Sequence, residues 1–552
     1  MLLELVAESP EQKAAYQAAN KAIQPNIKEA GTPPDPNVVA DSEDEKVSQA
    51  SALVAFVEGH AQLFHDQNGD VFAEAKDTHE TRRLDGRQFK DWLVAHFYEK
   101  TGKSPRDQST REALSTLAGL GRFRGECRDV FIRVAMHENA YFLDLAEPGK
   151  NRAVRISAGK WDVVTDTPVR FIRPETMRPL PEPKCGGNLD MLWKIANIPN
   201  DSRLLVLAWL GECLRPDTPF PVLELMGEQG SAKSTTQTAL RRLIDPNACD
   251  LRSAPKAVED MFVGAGASWL VSYENISHLS APMQDALCVL ATGGGFAKRK
   301  LYSDAEESVI TVKRPVVLNG ISVAVTAQDL VDRTLSIETP VIRERVETTE
   351  LWRNFDTAHG QLLGALLDVV AAALDLLPNI RIPAAERPRL AEFARFGMAV
   401  AEATGKTAND FTKQFTACRQ EAIARTLDAS PVATAVLAWC EKNPFGAQDT
   451  AGNFMCRMEA FKPQRVESWP WSPKGFADAL RRAAPALRQH GIECRSLPKT
   501  GGVIRWEIGP REKFTNPCPA CPDHPAENVK QDMQDIQDMV QELSPATVED
   551  EI

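Results

Sequence analysis

The sequence predicts an α/β protein with a P-loop core, an α+β N-terminal domain, a helical lid and a C-terminal winged helix. Three observations predict this class. Residues 222–235 run from an apolar stretch through a loop of small residues into a helical pattern. A second apolar stretch ends in an acid at Glu274. Helical segments followed by a β-hairpin pattern occupy residues 429–510.

Length and composition indicate a multidomain intracellular protein. The chain has 552 residues, of which 43% are hydrophobic, enough for several sizeable cores. No apolar run approaches the ~20 residues of a membrane span, and the N-terminus lacks a basic segment followed by a long apolar one. We therefore expect a cytoplasmic protein without membrane contact. The 11 cysteines are scattered, which favours reduced thiols. The net charge of −12 requires any nucleic-acid contact to use local patches.

The region before the core divides into two predicted parts. Residues 1–46 have the pattern of a helix followed by a Pro-rich acidic linker. Residues 47–199 alternate helical and strand patterns, as expected for an α+β N-terminal domain. A primase active site needs paired carboxylates to hold two metals. Only Asp144 stands on the relevant strand, with Ala146 where a second acid is required, so we exclude a primase here.

The loop GEQGSAKS has the composition of a phosphate-binding P-loop. Small residues let successive backbone N–H groups turn toward the phosphates, and the following helix adds its positive N-terminus. Lys233 is predicted to reach the phosphates and the Ser234 hydroxyl to hold Mg²⁺. The sequence thus predicts an ATP·Mg²⁺ site; the alternative is a Gly/Ser turn before an amphipathic helix. The predicted nucleotide-binding residues are Gly227, Glu228, Gln229, Gly230, Ser231, Ala232, Lys233, Ser234 and Thr235.

One residue departs from the common P-loop pattern. Ala232 stands where GxxxxGK[ST] has glycine. Because this residue opens the helix, we expect it to have helical φ and ψ, a conformation in which a methyl group fits.

Glu274 is predicted to be the acidic partner of the P-loop serine. The stretch 268–275 is an apolar strand ending in this carboxylate, about forty residues after the P-loop. An acid in this place holds the Mg²⁺ shell. The alternative is a buried strand with a capping acid. Asn275 stands where many such ATPases have a second acid. The sequence therefore does not identify the residue that activates the attacking water.

A glycine-rich break at residues 293–295 follows a predicted helix and precedes FAKRKLY. Three cations there are flanked by two aromatic residues, and a return strand follows. The pattern predicts a β-hairpin whose basic tip follows a nucleic-acid backbone and stacks on bases. The alternative is a solvated turn. The predicted DNA-binding residues are Lys298, Arg299 and Lys300.

Two more polar residues stand at strand boundaries. One predicted strand ends at Asn319, and Arg333 immediately precedes another. Arg333 is a candidate arginine finger acting on the γ-phosphate of a neighbouring subunit; the alternative is a surface salt bridge with Asp332. A finger that acts in trans requires a head-to-tail interface, and such interfaces close into rings.

The order of these features over residues 200–345 resembles the core of superfamily 3 helicases, which are AAA+ ATPases. It is especially similar to the ATPase half of phage and poxvirus-type primase-helicases, and the Ala-Lys-Ser P-loop is similar to that of minichromosome maintenance helicases. The resemblance implies a homo-oligomeric ring, usually a hexamer, with single-stranded DNA in its pore. It implies pore-facing hairpin cations and a sensor-1 role for Asn319. Because no primase site is found before the core, a separately encoded primase is a candidate partner. The catalytic residues would be Lys233, Glu274, Asn319 and Arg333.

Two further domains are predicted after the core. Residues 346–428 have the pattern of a helical lid. Residues 429–510 combine helices with a hairpin that turns at Gly501, as in a winged helix. Residues 462–513 contain 11 Lys/Arg against 5 Asp/Glu, a local charge of +6. This charge favours DNA over the alternative, a protein-binding winged helix.

The acidic tail, residues 511–552, contains a CxxCxxH pattern. Cys518, Cys521 and His524 have knuckle-like spacing, but structural zinc has four ligands and only three are present. A Pro-rich disordered segment is favoured, and a Zn²⁺ site is the alternative.

Together these observations predict an ATP-dependent DNA helicase or translocase of phage or mobile-element replication. Two alternatives stay open. One is an ATP-switched DNA-binding regulator or loader that unwinds nothing; the other is an AAA+ remodeller that does not act on nucleic acid. The sequence does not determine translocation polarity, subunit number or preference for DNA over RNA.

Overall fold

The structure is a computed structural model that describes residues 48–299, 307–463 and 469–512. The predicted N-terminal helix and linker, and Cys518, Cys521 and His524 of the tail, lie outside the described residues. The fold is mixed α/β, and the nine described cysteines are free thiols.

The N-terminal region begins with a four-stranded sheet of order β3-β2-β1-β4 and three helices. Residues 48–64 have a helical pattern in the sequence, but the helix ends at His60 and the next residues form a strand. Tertiary pairing overrides local propensity here, since Ala61–His65 pairs antiparallel with Val71–Ala75. The elements are α1 (Gln49–His60), β1 (Ala61–His65), β2 (Val71–Ala75), β3 (Thr81–Arg83), α2 (Arg87–Thr101), α3 (Asp107–Arg124) and β4 (Glu126–Cys127).

A second, antiparallel sheet of order β6-β7-β8-β9 follows, as the alternating pattern predicts. A short parallel pair, β10-β5, lies at its side. Arg133 Nε donates to Asp245 Oδ1 at 3.0 Å, and both side chains are buried. This pair fixes the second sheet to the end of the P-loop helix. The elements are β5 (Val130–Phe131), β6 (Val134–His137), β7 (Ala140–Asp144), β8 (Arg152–Ser157), β9 (Lys160–Thr165) and β10 (Arg170–Phe171).

The central region is a parallel four-stranded sheet of order β12-β15-β11-β16. Because all four strands are parallel, their carboxyl ends meet at one edge, where ligands bind in open α/β sheets. The elements are α4 (Asp190–Ile195), α5 (Arg203–Glu212), β11 (Val222–Met226), α6 (Lys233–Ile244), α7 (Val258–Gly266), β12 (Val271–Tyr273), α8 (Ala281–Thr292), β13 (Gly294–Arg299), β14 (Glu307–Val312), β15 (Val316–Gly320), α9 (Gln328–Val331) and β16 (Thr334–Glu338).

Three long helices follow the sheet: α10 (Thr348–Leu376), α11 (Ala391–Ala403) and α12 (Ala408–Asp428). By length and composition alone, residues 348–379 include a helix that is apolar enough to cross a membrane. More than half of its most apolar window is buried in the protein. Leu362 and Leu366 belong to the same core cluster as Trp209 of α5, which is the environment of a core helix.

The C-terminal region has the order helix, strand, helix, helix, strand, strand, with a sheet of order β17-β19-β18. The predicted hairpin is confirmed as β18 paired antiparallel with β19. The helix from Pro473 to Gln489 continues through Pro485, and Leu480 and Leu487 on either side of this proline are buried. The elements are α13 (Pro431–Lys442), β17 (Ala447–Thr450), α14 (Ala451–Met458), α15 (Pro473–Gln489), β18 (Ile492–Ser496) and β19 (Arg505–Pro510).

Candidate nucleotide-binding site

The P-loop connects β11 to α6 at the carboxyl edge of the parallel sheet. Two of its glycines are required by the backbone. Gly227 has φ +149°, and a Cβ there would lie 2.6 Å from the Thr339 carbonyl oxygen. Gly230 has φ +89°, in the left-handed region that favours glycine. The strand–loop–helix order predicted from the sequence is therefore present.

Ala232 does not have the helical conformation that the sequence predicts. Its φ is +55° and its ψ +29°, which is left-handed, and the helix starts at Lys233. An L-residue in this region costs roughly 1–2 kcal/mol. The P-loop therefore turns as the common glycine pattern requires, and alanine adopts the turn with strain.

The Lys233 ammonium lies inside the curve of the loop. Its Nζ donates to the carbonyl oxygens of Gly227 at 2.7 Å and Glu228 at 2.8 Å. It also lies 3.3 Å from Ser231 Oγ. Burial lowers the pKa of Lys233. The cation is thus held by neutral acceptors at the place where the P-loop pattern puts phosphate oxygens.

Ser234 and Glu274 come together at this edge. The Ser234 hydroxyl, in the first turn of α6, donates to Glu274 Oε2 at 3.4 Å. Glu274 directly follows β12, as predicted. A hydroxyl and a carboxylate in contact supply the two oxygens that a P-loop contributes to Mg²⁺, whose remaining ligands are waters and phosphates. In residues 48–299, 307–463 and 469–512 no cluster of three or more His, Cys, Asp or Glu side chains forms a metal site.

Asn319 links the P-loop helix to the acid-bearing strand. Its side chain is buried on β15, its Nδ2 donates to Gln237 Oε1 at 2.6 Å, and its Oδ1 accepts the Asn275 backbone N–H at 2.9 Å. Gln237 in turn donates to Ser272 Oγ at 2.8 Å and the Tyr273 carbonyl at 3.0 Å. One of the two amide N–H donors of Asn319 is therefore engaged by Gln237.

Residues 339–345, which we call the P-loop strap, were not anticipated. The strap follows β16 and runs beside the loop. The Thr339 N–H donates to the Met226 carbonyl at 2.7 Å, and the Ile342 N–H donates to the Gly230 carbonyl at 3.4 Å. At its end, Arg345 Nη2 lies 3.7 Å from the position that a Cβ on Gly230 would take. In the sequence, residues 339–345 are marked only by their position directly after the strand that follows Arg333.

Asn197 joins the strap to the P-loop. Its Nδ2 donates to the Pro340 carbonyl at 2.6 Å and the Ser231 carbonyl at 3.0 Å. Its backbone N–H donates to Thr236 Oγ1 at 2.9 Å. One residue before the core thus ties together the strap, the loop and the first turn of α6.

Arg333 lies at the opposite edge of the sheet. Its carbonyl accepts the N–H of Val222, the first residue of β11, so the whole five-residue strand separates it from the P-loop. At about 3.3 Å per residue this distance is about 17 Å. Its guanidinium pairs with Asp329, one turn away on α9, rather than with Asp332 as the salt-bridge alternative supposed. Asp329 also pairs with Arg389.

The predicted β-hairpin is confirmed at its base. β13 and β14 pair antiparallel from Gly294 opposite Val312 to Arg299 opposite Glu307. Lys298 and Arg299 are placed on β13, although their side chains are not described. Lys300 and the rest of the tip lie outside the described residues.

One face of α15 is exposed along the helix. Its apolar side packs inward through Phe476 and Leu480, whereas Lys474, Arg481 and Arg482 face solvent. Trp471, just before the helix, is 95% exposed. The exposed cations of α15 and the exposed Trp471 before it make this side of the C-terminal region a candidate interaction surface.

Two family models match this chain. Residues 189–419 match the actinomycete integrative conjugative element replication protein, AICE RepA, and residues 432–513 match the AICE RepA C-terminal domain. This chain is similar to the replication proteins of actinomycete integrative conjugative elements. The first match contains the P-loop, Glu274, Asn319 and Arg333, and the second contains α15. The predicted association with mobile-element replication agrees with the description of this family, while the resemblance to superfamily 3 stays a prediction.

Comparison with solved structures gives low similarities. A structure described as SCCmec type IV Cch, an active helicase, has a TM-score of 0.44 and 12% identity, covering 83% of this chain and 95% of that chain. The apo A form of the NrS-1 C-terminal region has a TM-score of 0.39 and 11% identity, covering 82% and 98%. No curated protein matches this chain.

Proposed function

We propose that this protein is an ATP-dependent DNA helicase or translocase that acts as a homo-oligomeric ring in the replication of a mobile element. The observation that carries the proposal is the contact between Ser234 and Glu274 beside the Lys233 ammonium, at the carboxyl edge of a parallel sheet. These are the groups that a P-loop NTPase uses on Mg²⁺ and phosphates. The family match at residues 189–419 supplies the replication context.

In this proposal each residue has a separate task. Lys233 exchanges its carbonyl partners for phosphate oxygens, and Ser234 with Glu274 holds Mg²⁺ and its waters. Asn319 keeps one N–H on Gln237 and directs the other to the γ-phosphate. ATP hydrolysis also requires a positioned water, and in this proposal Glu274 orients it.

The position of Arg333 supports the proposed ring. About 17 Å from its own P-loop, it serves a nucleotide only on a neighbouring subunit. Contacts of this head-to-tail kind close into rings, and the resemblance to AAA+ helicases of superfamily 3 implies a hexamer. The strand order, with β15 between the P-loop strand and the acid-bearing strand, supports this assignment.

DNA has two candidate contacts in this protein. The β13–β14 hairpin would carry Lys298, Arg299 and Lys300 into the pore, where cations and aromatic residues bind single-stranded DNA. The C-terminal region would form a winged helix whose exposed α15 face contacts duplex DNA. A primase would be supplied by a separate chain in the cytoplasm.

The exposed face of α15 also favours a second candidate function. An ATP-switched regulator or loader would use this face to bind a DNA site while ATP controls assembly, without strand separation. Such a protein would need α15 but not the hairpin cations.

Strand displacement with single-stranded DNA-stimulated ATP turnover tests the proposal. Wild type should unwind a forked duplex, and the Lys298→Ala/Lys300→Ala variant should hydrolyse ATP without unwinding. Lys256→Ala, an exposed cation of the same core, is the matched control and should unwind normally. Unwinding that survives the double substitution contradicts the hairpin assignment. ATP turnover without strand separation in wild type favours the regulator. Turnover that DNA does not stimulate favours a remodeller.

A further inference from the structure

The P-loop strap brings a second cation to the nucleotide site. It leaves β16, whose register with β11 ends at Glu338 opposite Met226, so the strap starts beside the P-loop. Thr339 Oγ1 donates to the Met226 carbonyl at 2.8 Å and lies 2.9 Å from Ser231 Oγ. The strap is therefore bonded to the last residue of β11 and to Ser231 within the loop, and is not merely adjacent to the loop.

Arg345 stands where the strap passes Gly230. Its Nη2 lies 3.7 Å from the position of a Cβ on Gly230, and Gly230 has no side chain to separate the guanidinium from the loop backbone. In the parts of the chain that the structure describes, no ion pair or hydrogen bond engages the Arg345 side chain, which is exposed. Among the described residues, no contact gives the Arg345 guanidinium a structural role, although it lies beside the phosphate-binding loop.

We propose that Arg345 binds the phosphates of the nucleoside triphosphate held by its own subunit's P-loop. The inference rests on the proposed function, since it requires a P-loop that binds nucleotide. Arginine presents two parallel N–H donors to phosphate oxygens, whereas Lys233 supplies a point charge. The hydrogen bonds of Thr339, Ile342 and Asn197 hold residues 339–342 of the strap against the loop, so the ordering that phosphate binding requires is mainly that of the Arg345 side chain.

Arg345 and Arg333 have separate roles in this arrangement. Arg345 lies at the carboxyl edge with its own P-loop, and Arg333 lies at the opposite edge. The first acts in cis on nucleotide binding, and the second is placed to act in trans on hydrolysis. Arg343 is also exposed on the strap and, among the described residues, forms no hydrogen bond or ion pair with the P-loop, so it is the natural comparison.

Nucleotide binding by the full chain tests the role of Arg345. Affinities for ATP, ADP and AMP are measured for wild type, Arg345→Ala, Arg345→Lys and Arg343→Ala. Arg345→Ala should weaken ATP about 10- to 100-fold, the range for a hydrogen bond to a charged group, and should leave AMP unchanged. Arg345→Lys should recover part of the loss, and Arg343→Ala should bind as wild type does. Equal losses for ATP and AMP, or equal losses in both alanine variants, would overturn the proposal.

A mixing experiment separates action in cis from action in trans. Arg345→Ala subunits are mixed with Lys233→Ala subunits, which keep Arg345 but have no functional P-loop. Action in cis predicts no recovery of ATP turnover, and recovery would overturn it. Failure of wild type to bind ATP contradicts the proposed function itself. Failure of this inference alone appears as normal ATP binding by Arg345→Ala while Lys233→Ala has lost it.

Discussion

Ser234 Oγ and Glu274 Oε2 lie 3.4 Å apart although forty residues separate them in the chain. The sheet explains this contact. β15 lies between the strand before the P-loop and the strand before Glu274, and all three run in the same direction. Their carboxyl ends therefore face one edge, and α6 starts there with Ser234 in its first turn.

Glu274→Gln should abolish ATP hydrolysis while ATP binding stays within a few-fold of wild type. Loss of the carboxylate removes a metal-shell ligand and the group that orients water, which costs about 10²-fold or more in rate. Steady-state turnover and equilibrium ATP binding measure the two effects. Glu259→Gln on α7, a carboxylate of the same core away from the loop, is the control and should keep full turnover. If Glu274→Gln and Glu259→Gln have the same ATP turnover, Glu274 has no catalytic role.

Ala232→Gly should keep ATP turnover and raise the free energy of unfolding by about 1 kcal/mol or less. Glycine relieves the left-handed strain at φ +55°, and the greater freedom of the unfolded chain offsets part of the gain. Ala239→Gly, at a buried position in the interior of α6, is the comparison. It should lower stability by about 1 kcal/mol or more, from helix propensity and lost packing. Denaturant unfolding measures both, and equal destabilisation would contradict the conformation of Ala232.

Local patterns were sufficient for much of the site. The P-loop, the strand before Glu274, the β13–β14 pairing and the C-terminal hairpin all follow from glycine positions and apolar periodicity. The salt-bridge partner of Arg333 can also be predicted from the sequence. Once α9 is read as a helix, residues 329 and 333 stand at i,i+4 and pair across one turn, whereas Asp332 is adjacent in sequence.

The strap and the conformation of Ala232 depend on tertiary structure. Arg345 reaches Gly230 because β16 pairs with β11 in one particular register, which no local pattern specifies. The left-handed turn at Ala232 closes the loop around the Lys233 ammonium, and a helix start alone gave no sign of it. Asn197 acts from a segment before the core, so its hydrogen bonds to the loop appear only in the fold.

Arg333→Ala should abolish ATP hydrolysis and leave ATP binding intact, because the residue lies at the sheet edge remote from its own P-loop. An arginine finger contributes about 10³- to 10⁵-fold to turnover. Mixing Arg333→Ala with Glu274→Gln subunits should restore part of the activity, since each supplies what the other lacks. Arg389→Ala, which removes the other cation on Asp329, is the control. If the mixture recovers no ATP turnover, or if Arg389→Ala loses as much turnover as Arg333→Ala, Arg333 is not the arginine finger.

Trp471→Ala and Arg482→Ala should each weaken duplex DNA binding by the full-length protein. Trp471 is 95% exposed just before α15, and Arg482 lies on the exposed face of that helix. A lost stacking or apolar contact costs about 1–3 kcal/mol, and a lost phosphate contact lowers the slope of log affinity against log salt by about one. Titrations of labelled duplex at several salt concentrations measure both quantities.

The matched control for this surface is Phe445→Ala. Phe445 is 77% exposed in the same C-terminal region but lies outside α15. If α15 is the DNA-contacting face, Phe445→Ala binds duplex as wild type does, since Phe445 lies outside that face. This result would exclude a general loss of exposed aromatic surface as the cause of the weaker binding by Trp471→Ala. Equal weakening by Trp471→Ala and Phe445→Ala would place the contact elsewhere. An unchanged salt slope in Arg482→Ala would show that this cation contacts no phosphate, and the exposed face would then belong to a protein partner.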